Sequence, residues 1–138
     1  MVKRYQRALN GSMACVLLLL RKDLEVDGPE WVHVQEFLAR RKLPPGVAAS
    51  GDYAKLRFFG LLEKKTERRD DGSDRNGYWR ITKKGEQFAD GLIQAPKFVY
   101  LYDNAPLPAP DAPLVWIDEV LGDKFSYAEL MGRELPEH

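Results

Sequence analysis

The sequence predicts an α+β fold: three helices and a two-stranded hairpin around one core, followed by a C-terminal strand and short-helix extension. Three observations predict it. Apolar residues recur at helical spacing over Met13–Leu24 and again over Val34–Leu38. Two segments rich in strand formers flank the polar stretch Arg69-Asp70-Asp71-Gly72-Ser73-Asp74-Arg75-Asn76. A compact aromatic and aliphatic run, Phe98–Tyr102, then ends at the turn signal Asp103-Asn104.

Residues 1–11 are basic, with Lys3, Arg4 and Arg7, and are expected to be partly disordered. Ser12 is a suitable N-cap for a helix over Met13–Lys22, whose Met13, Val16, Leu17, Leu20 and Leu24 form one buried stripe. Gly28-Pro29 breaks the chain, and Trp31–Val34 is a short strand leading into a second helix over Gln35–Lys42. Pro44-Pro45-Gly46 ends that helix, because proline has no amide hydrogen to donate. A third helix is expected from Ser50, with Asp52 in its positive first turn, to about Phe59. Gly60 suits the left-handed residue that closes it. Leu61–Arg68 and Gly77–Thr82 read as the hairpin strands, and Thr82 as the cap of a fourth helix carrying Phe88 and Leu92. After Phe98–Tyr102, Pro106, Pro108, Pro110 and Pro113 make a stiff connector. Val115–Gly132 holds two short helices, the second capped by Ser126. The organisation is thus a basic segment (1–11), a main domain (12–95) and an extension (96–138).

The chain of 138 residues has a net charge of zero, but the charge is unevenly placed. Residues 1–54 carry eight Lys/Arg against six Asp/Glu, residues 55–84 ten against five, and residues 85–138 three against ten. A basic middle beside an acidic tail is the form of a localised electrostatic footprint. One cysteine, Cys15, excludes an internal disulfide, and with only His33 and His138 to add, no metal site is expected. The apolar run Met13–Leu20 is too short to cross a membrane. Arg21-Lys22-Asp23 follows it with no small-residue cleavage site, so a core helix and a cytoplasmic protein are expected, without a membrane partner. No Ser-His-Asp, Cys-His or paired-carboxylate arrangement and no phosphate-binding glycine loop can be assembled. Neither catalysis nor a cofactor is expected.

One stretch is more specific. Gly60-Leu61-Leu62, then Trp79-Arg80-Ile81-Thr82-Lys83-Lys84-Gly85, resembles the turn out of the recognition helix and the exit from the wing in winged helix-turn-helix proteins. With "PKFVYLYDNAPL" and "KFSYAELM", the chain resembles an uncharacterised winged-helix family of phages and bacteria, over roughly residues 12–131. The resemblance implies a winged-helix fold, and double-stranded DNA as partner of a transcriptional regulator or phage-type accessory factor.

In that setting the candidate DNA contacts are Lys55 and Arg57 on the third helix and Lys64, Lys65, Arg68, Arg69 and Arg75 on the wing. At 100° per residue, Tyr53, Leu56, Phe59 and Gly60 face the core, while Gly51, Ala54, Lys55, Arg57 and Phe58 share the opposite arc. The start of this helix lacks the Arg, Asn, Gln or Ser that reads base edges, and Glu63, Glu67, Asp70, Asp71 and Asp74 dilute the wing. Backbone contact with modest sequence preference is therefore expected. The alternative is a protein-interaction module docking on a host complex, with Phe58 and Trp116 as interface candidates. A nuclease or RNA-modifying accessory subunit is a third reading. Trp31 and Trp79 are expected as core or interface anchors, His33 as a satisfied histidine and Cys15 as inert. Phe98–Tyr102 is too apolar for a free edge, so it is expected to join the wing sheet or to pair with a second copy in a homodimer.

Overall fold

Helix α1 (Gly11–Glu25) is covered on nearly every side. Met13, Ala14, Cys15, Val16, Leu17, Leu18 and Leu20 are all buried, far more than the single stripe expected. A computed structural model describes residues 5–41, 43, 51–65, 77–103, 105–107, 109–123 and 125–136. In it, α1 packs against the 3-10 helix Asp52–Phe59, against helices α3 (Lys83–Ala89), α4 (Ile117–Leu121) and α5 (Tyr127–Met131), and against strand β4 (Tyr78–Ile81). A helix apolar around its whole circumference is a core helix, and here the C-terminal residues supply the second half of its coat. Packing therefore crosses the expected boundary at residue 95. The cap also differs from expectation: Asn10, in extended conformation, accepts from the Met13 amide at 2.9 Å, and Ser12 lies within the first turn.

Among the described residues, the strands form one two-stranded ladder and two three-stranded antiparallel sheets. In one, β2 (Val32–His33) and β3 (Leu62–Lys64) pair on either side of β4, with Val32 and Lys64 both opposite Trp79. Helix α2 (Val34–Ala39) follows β2 directly and is capped by the His33 Nδ1, which accepts from the Glu36 amide at 3.3 Å. It is shorter than the expected Gln35–Lys42, because Arg41 folds back: its guanidinium donates to the Phe37 carbonyl at 2.8 Å and lies over the Phe37 ring. The Pro44-Pro45-Gly46 stop lies outside the described residues.

In the other sheet β6 (Phe98–Tyr102) is the central strand, between β1 (Tyr5–Ala8) and β7 (Ala105–Leu107). This corrects two expectations, on the proline-rich connector and on the partner of Phe98–Tyr102. The basic N-terminal segment contains a strand, paired from Tyr5 opposite Leu101 to Ala8 opposite Phe98. Part of the proline-rich connector is a strand as well; Pro106 is tolerated because β7 is an edge. Both edges of Phe98–Tyr102 are satisfied within the chain, so that strand joins neither the β2–β4–β3 sheet nor, of necessity, a second copy. A two-stranded ladder, β5 (Ala95–Pro96) with β8 (Leu114–Val115), leads into α4 and α5. Ser126 caps α5 as expected. No helix among the described residues is long and apolar enough to cross a membrane.

Charged side chains tie the helices together where the core ends. Arg21 of α1 makes a bidentate contact to Asp90 at 3.0 and 2.9 Å and a third bond to Glu86 at 2.9 Å. Arg133, just beyond α5, bridges Glu25 at 2.7 Å and Asp90 at 2.9 Å. The Lys22 ammonium donates to the Met131 carbonyl at the end of α5, and the Tyr127 hydroxyl to the Ala89 carbonyl, both at 2.8 Å. The hydrogen bond from Arg133 holds the Glu25 carboxyl below its ordinary value of 4.5. A depressed carboxylate contributes stability that is present above its unfolded value and lost as pH falls through the folded one. Acid should therefore begin to unfold the protein below about pH 4.5, and Glu25→Gln should lower the neutral-pH stability while flattening that acid limb. Chemical denaturation of both proteins from pH 7 to pH 3 checks this.

Candidate nucleic-acid interface

The hairpin is locked to the helices at its base through Gly60, Thr82 and Gly85. Gly60 closes the 3-10 helix at φ 73°, a left-handed conformation that glycine adopts without strain. Its carbonyl accepts from the Thr82 hydroxyl at 2.6 Å, and the Thr82 hydroxyl oxygen in turn accepts from the Gly85 amide at 2.9 Å, capping α3. Strand, helix end and next helix thus meet at one hydroxyl. A Cβ on Gly85 would sit 2.2 Å from the Leu61 carbonyl oxygen, so only glycine permits that approach. Leu61 and Leu62 are buried beside it.

The helix leading into this junction is 3-10 rather than α, and it begins at Gly51 with φ 66° and no side-chain cap. Ser50, the expected cap, lies outside the described residues. In a 3-10 helix residues three apart eclipse one another, so eight residues form three ridges. Tyr53, Leu56 and Phe59 form the buried ridge, with the Tyr53 hydroxyl accepting from Gln35 at 3.1 Å and its ring edge-on to Trp79. Strict spacing of three is what this geometry requires of a core face, whereas Gly60, expected on that face, is exposed. Asp52, Lys55 and Phe58 form a second ridge. Asp52 accepts from Asn10 at 3.2 Å and pairs with Lys55 at 3.6 Å, and Phe58 packs partly on the core. Ala54 and Arg57 form the third. Arg57 is exposed, its guanidinium 4.8 Å from the centre of the Phe58 ring. The single arc expected for Ala54, Lys55, Arg57 and Phe58 is therefore two ridges.

On the hairpin, Lys64 and Lys65 are half-buried at the end of β3. Lys65 donates its amide to the Tyr78 carbonyl at 2.9 Å, and its ammonium lies 5.8 Å from the rings of Trp31 and Tyr78. Arg68, Arg69 and Arg75 lie outside the described residues. Arg80 is neutralised by Glu63 at 2.8 Å and Glu30 at 2.6 Å and covers Trp31. Hydrogen bonding to those carboxylates raises its pKa. Tyr78 and Trp79 alternate across β4, Trp79 inward and Tyr78 outward.

Trp116, the second interface candidate, is half-buried ahead of α4, where its amide donates to Glu119 at 2.9 Å. His33 acts as a cap, stacked edge-on to Tyr78. Cys15 is buried in α1, and burial pushes its thiol up to about 11, the opposite of a reactive cysteine. No three His, Cys, Asp or Glu side chains converge on a possible metal position among the described residues. Sequence reasoning missed Tyr5, Arg7 and Asp103. These residues line, with Lys55, Phe58 and Leu101, a cavity of about 340 Å³ beside the 3-10 helix. Arg7 and Lys55 also line an adjoining space of about 180 Å³ with Asn10 and Asp52. The only available signal was the basic Lys3–Arg7 cluster, since strand pairing of Tyr5–Ala8 depends on β6, some ninety residues later in the chain.

Comparison with protein-family models, with curated proteins and with solved structures gives no match to this chain. The junction itself makes a direct prediction. Gly85→Ala should destabilise the protein by about 1–3 kcal/mol, because its new methyl group meets backbone rather than a movable side chain. The equally small change Gly122→Ala has open space around it and tests only the positive φ. Urea unfolding of the two variants separates crowding from backbone strain.

Proposed function

We propose that this chain is a winged-helix protein that binds duplex DNA through its 3-10 helix and the β3–β4 hairpin, without catalysis and without a cofactor. Connectivity is the observation that carries the reading. Helix α1, strand β2, helix α2, the 3-10 helix and the β3–β4 hairpin follow one another in the order the sequence resemblance implies, and β2 completes the hairpin sheet in the order β2–β4–β3. Among the described basic residues of 55–84, Lys55 and Arg57 lie on this helix and Lys64, Lys65 and Arg80 on or beside the hairpin strands, with Arg57 exposed.

The contacts proposed are phosphates. Arg57, Lys64 and Lys65, with Arg68, Arg69 and Arg75 of the wing, supply charge without base-reading geometry. Lys55 contributes less, because Asp52 already sits 3.6 Å away. Weak sequence preference and strong salt dependence follow. A regulator or phage-type accessory factor acting in the cytoplasm, as a homodimer on paired half-sites, is the setting this chemistry suits.

A second reading, docking on a host protein, is favoured by exposed apolar side chains outside the hairpin, with Tyr102 47% and Leu114 59% exposed. Phe58 and Trp116 fit it less well, both being half-buried against their own chain.

Titration of a mixed-sequence duplex against salt decides between the two. Log affinity should fall linearly with log salt, and Arg57→Ala and Lys64→Ala should each reduce the slope by about 0.9, one phosphate apiece. Absence of duplex affinity at about 50 mM salt, or an unchanged slope in both variants, overturns the DNA reading.

A further inference from the structure

We propose that the cavity between β1, the end of β6 and the 3-10 helix is a binding site for a small aromatic carboxylate. At about 340 Å³ it stands at the small end of ligand-binding sites, roomy for one substituted ring. Its walls divide by chemistry. Leu101 is a buried aliphatic wall, Phe58 brings a half-buried aromatic ring and Tyr5 an exposed one. Arg7 and Lys55 bring two cations and Asp103 one carboxylate, a formal charge of +1.

The cations differ in availability. Lys55 leans on Asp52, whereas Arg7 forms no ion pair among the described residues. The Arg7 guanidinium is thus the group free to take a carboxylate, and its planar fork suits both oxygens at once. A ring attached to that carboxylate removes apolar surface of Leu101 and Phe58 from water, which a ring-free acid cannot do. Asp103 sets the limit on the ligand's charge. It occupies the turn between β6 and β7 at φ 51°, a conformation that Asp and Asn both tolerate. Asp103→Asn therefore changes the charge of the wall and leaves the turn intact. A simple anion gains from that change, and a zwitterion carrying an ammonium group loses.

The full chain titrated with sodium benzoate at constant ionic strength, without DNA, tests the site independently of duplex binding. Saturable binding is expected with a Kd on the order of millimolar, as befits so small a ligand, with backbone amide shifts centred on Lys55, Phe58 and Leu101. Arg7→Ala should weaken binding about tenfold or more with its thermal midpoint unchanged. Arg7→Gln repeats the test with a longer side chain should the alanine variant be destabilised. Asp103→Asn should tighten binding about two- to fivefold. Acetate and benzyl alcohol, each lacking one half of the ligand, should bind at least about tenfold more weakly. Non-saturating shifts, equal binding of acetate, indifference to Arg7, or tighter binding of L-phenylalanine than of benzoate would each overturn the proposal.

Discussion

The burial of α1 is the constraint on which the rest of the structure depends. Seven of its residues are buried around the circumference, so no single sheet or helix can cover it. The 3-10 helix and β4 cover one part, and α3, α4 and α5 cover the remainder. Each coat residue removes apolar surface that would otherwise cost stability at about 25 cal/mol per Å². The acidic C-terminal third is therefore structural in its apolar positions, Ile117, Leu121, Tyr127 and Met131, all of them buried.

Charge then orients what hydrophobic burial only gathers. Burial is non-directional, but the fork of Arg21 on Asp90 and the bridge of Arg133 to Glu25 set α1, α3 and the end of α5 in one register. These groups lie at the border of the core, where pairing offsets a desolvation that remains partial. The acidic C-terminal third of the chain thus uses two of its acids, Glu86 and Asp90, to hold Arg21 of α1 in place.

For the candidate interface, helix geometry matters more than composition. Spacing of three at Tyr53, Leu56 and Phe59 is compatible with either an α or a 3-10 helix. The 3-10 form separates Lys55 and Phe58 from Arg57 by a third of a turn. Lys55 and Phe58 consequently turn toward β1 and the cavity, while Arg57 stays on the outer surface. A single helix thus presents two faces, one exposed through Arg57 and one lining a small concave space through Lys55 and Phe58.

What the sequence determined by itself is local. Gly60 and Thr82 could be assigned their roles from the residue types alone, since left-handed closure and capping are properties of a few neighbouring atoms. The Phe98–Tyr102 strand and the Ser126 cap were legible for the same reason. The need for glycine at Gly85 comes instead from Leu61, distant in sequence. Tertiary structure alone decided the rest. The strand at Tyr5–Ala8 exists because β6 offers it an edge, and Asn10 rather than Ser12 caps α1 because β1 delivers the chain there in extended form. The all-round burial of α1, and the turning of Lys55 toward Arg7, likewise arise from segments distant in sequence. Such contacts stabilise through surface that each segment lacks alone, so no local pattern records them.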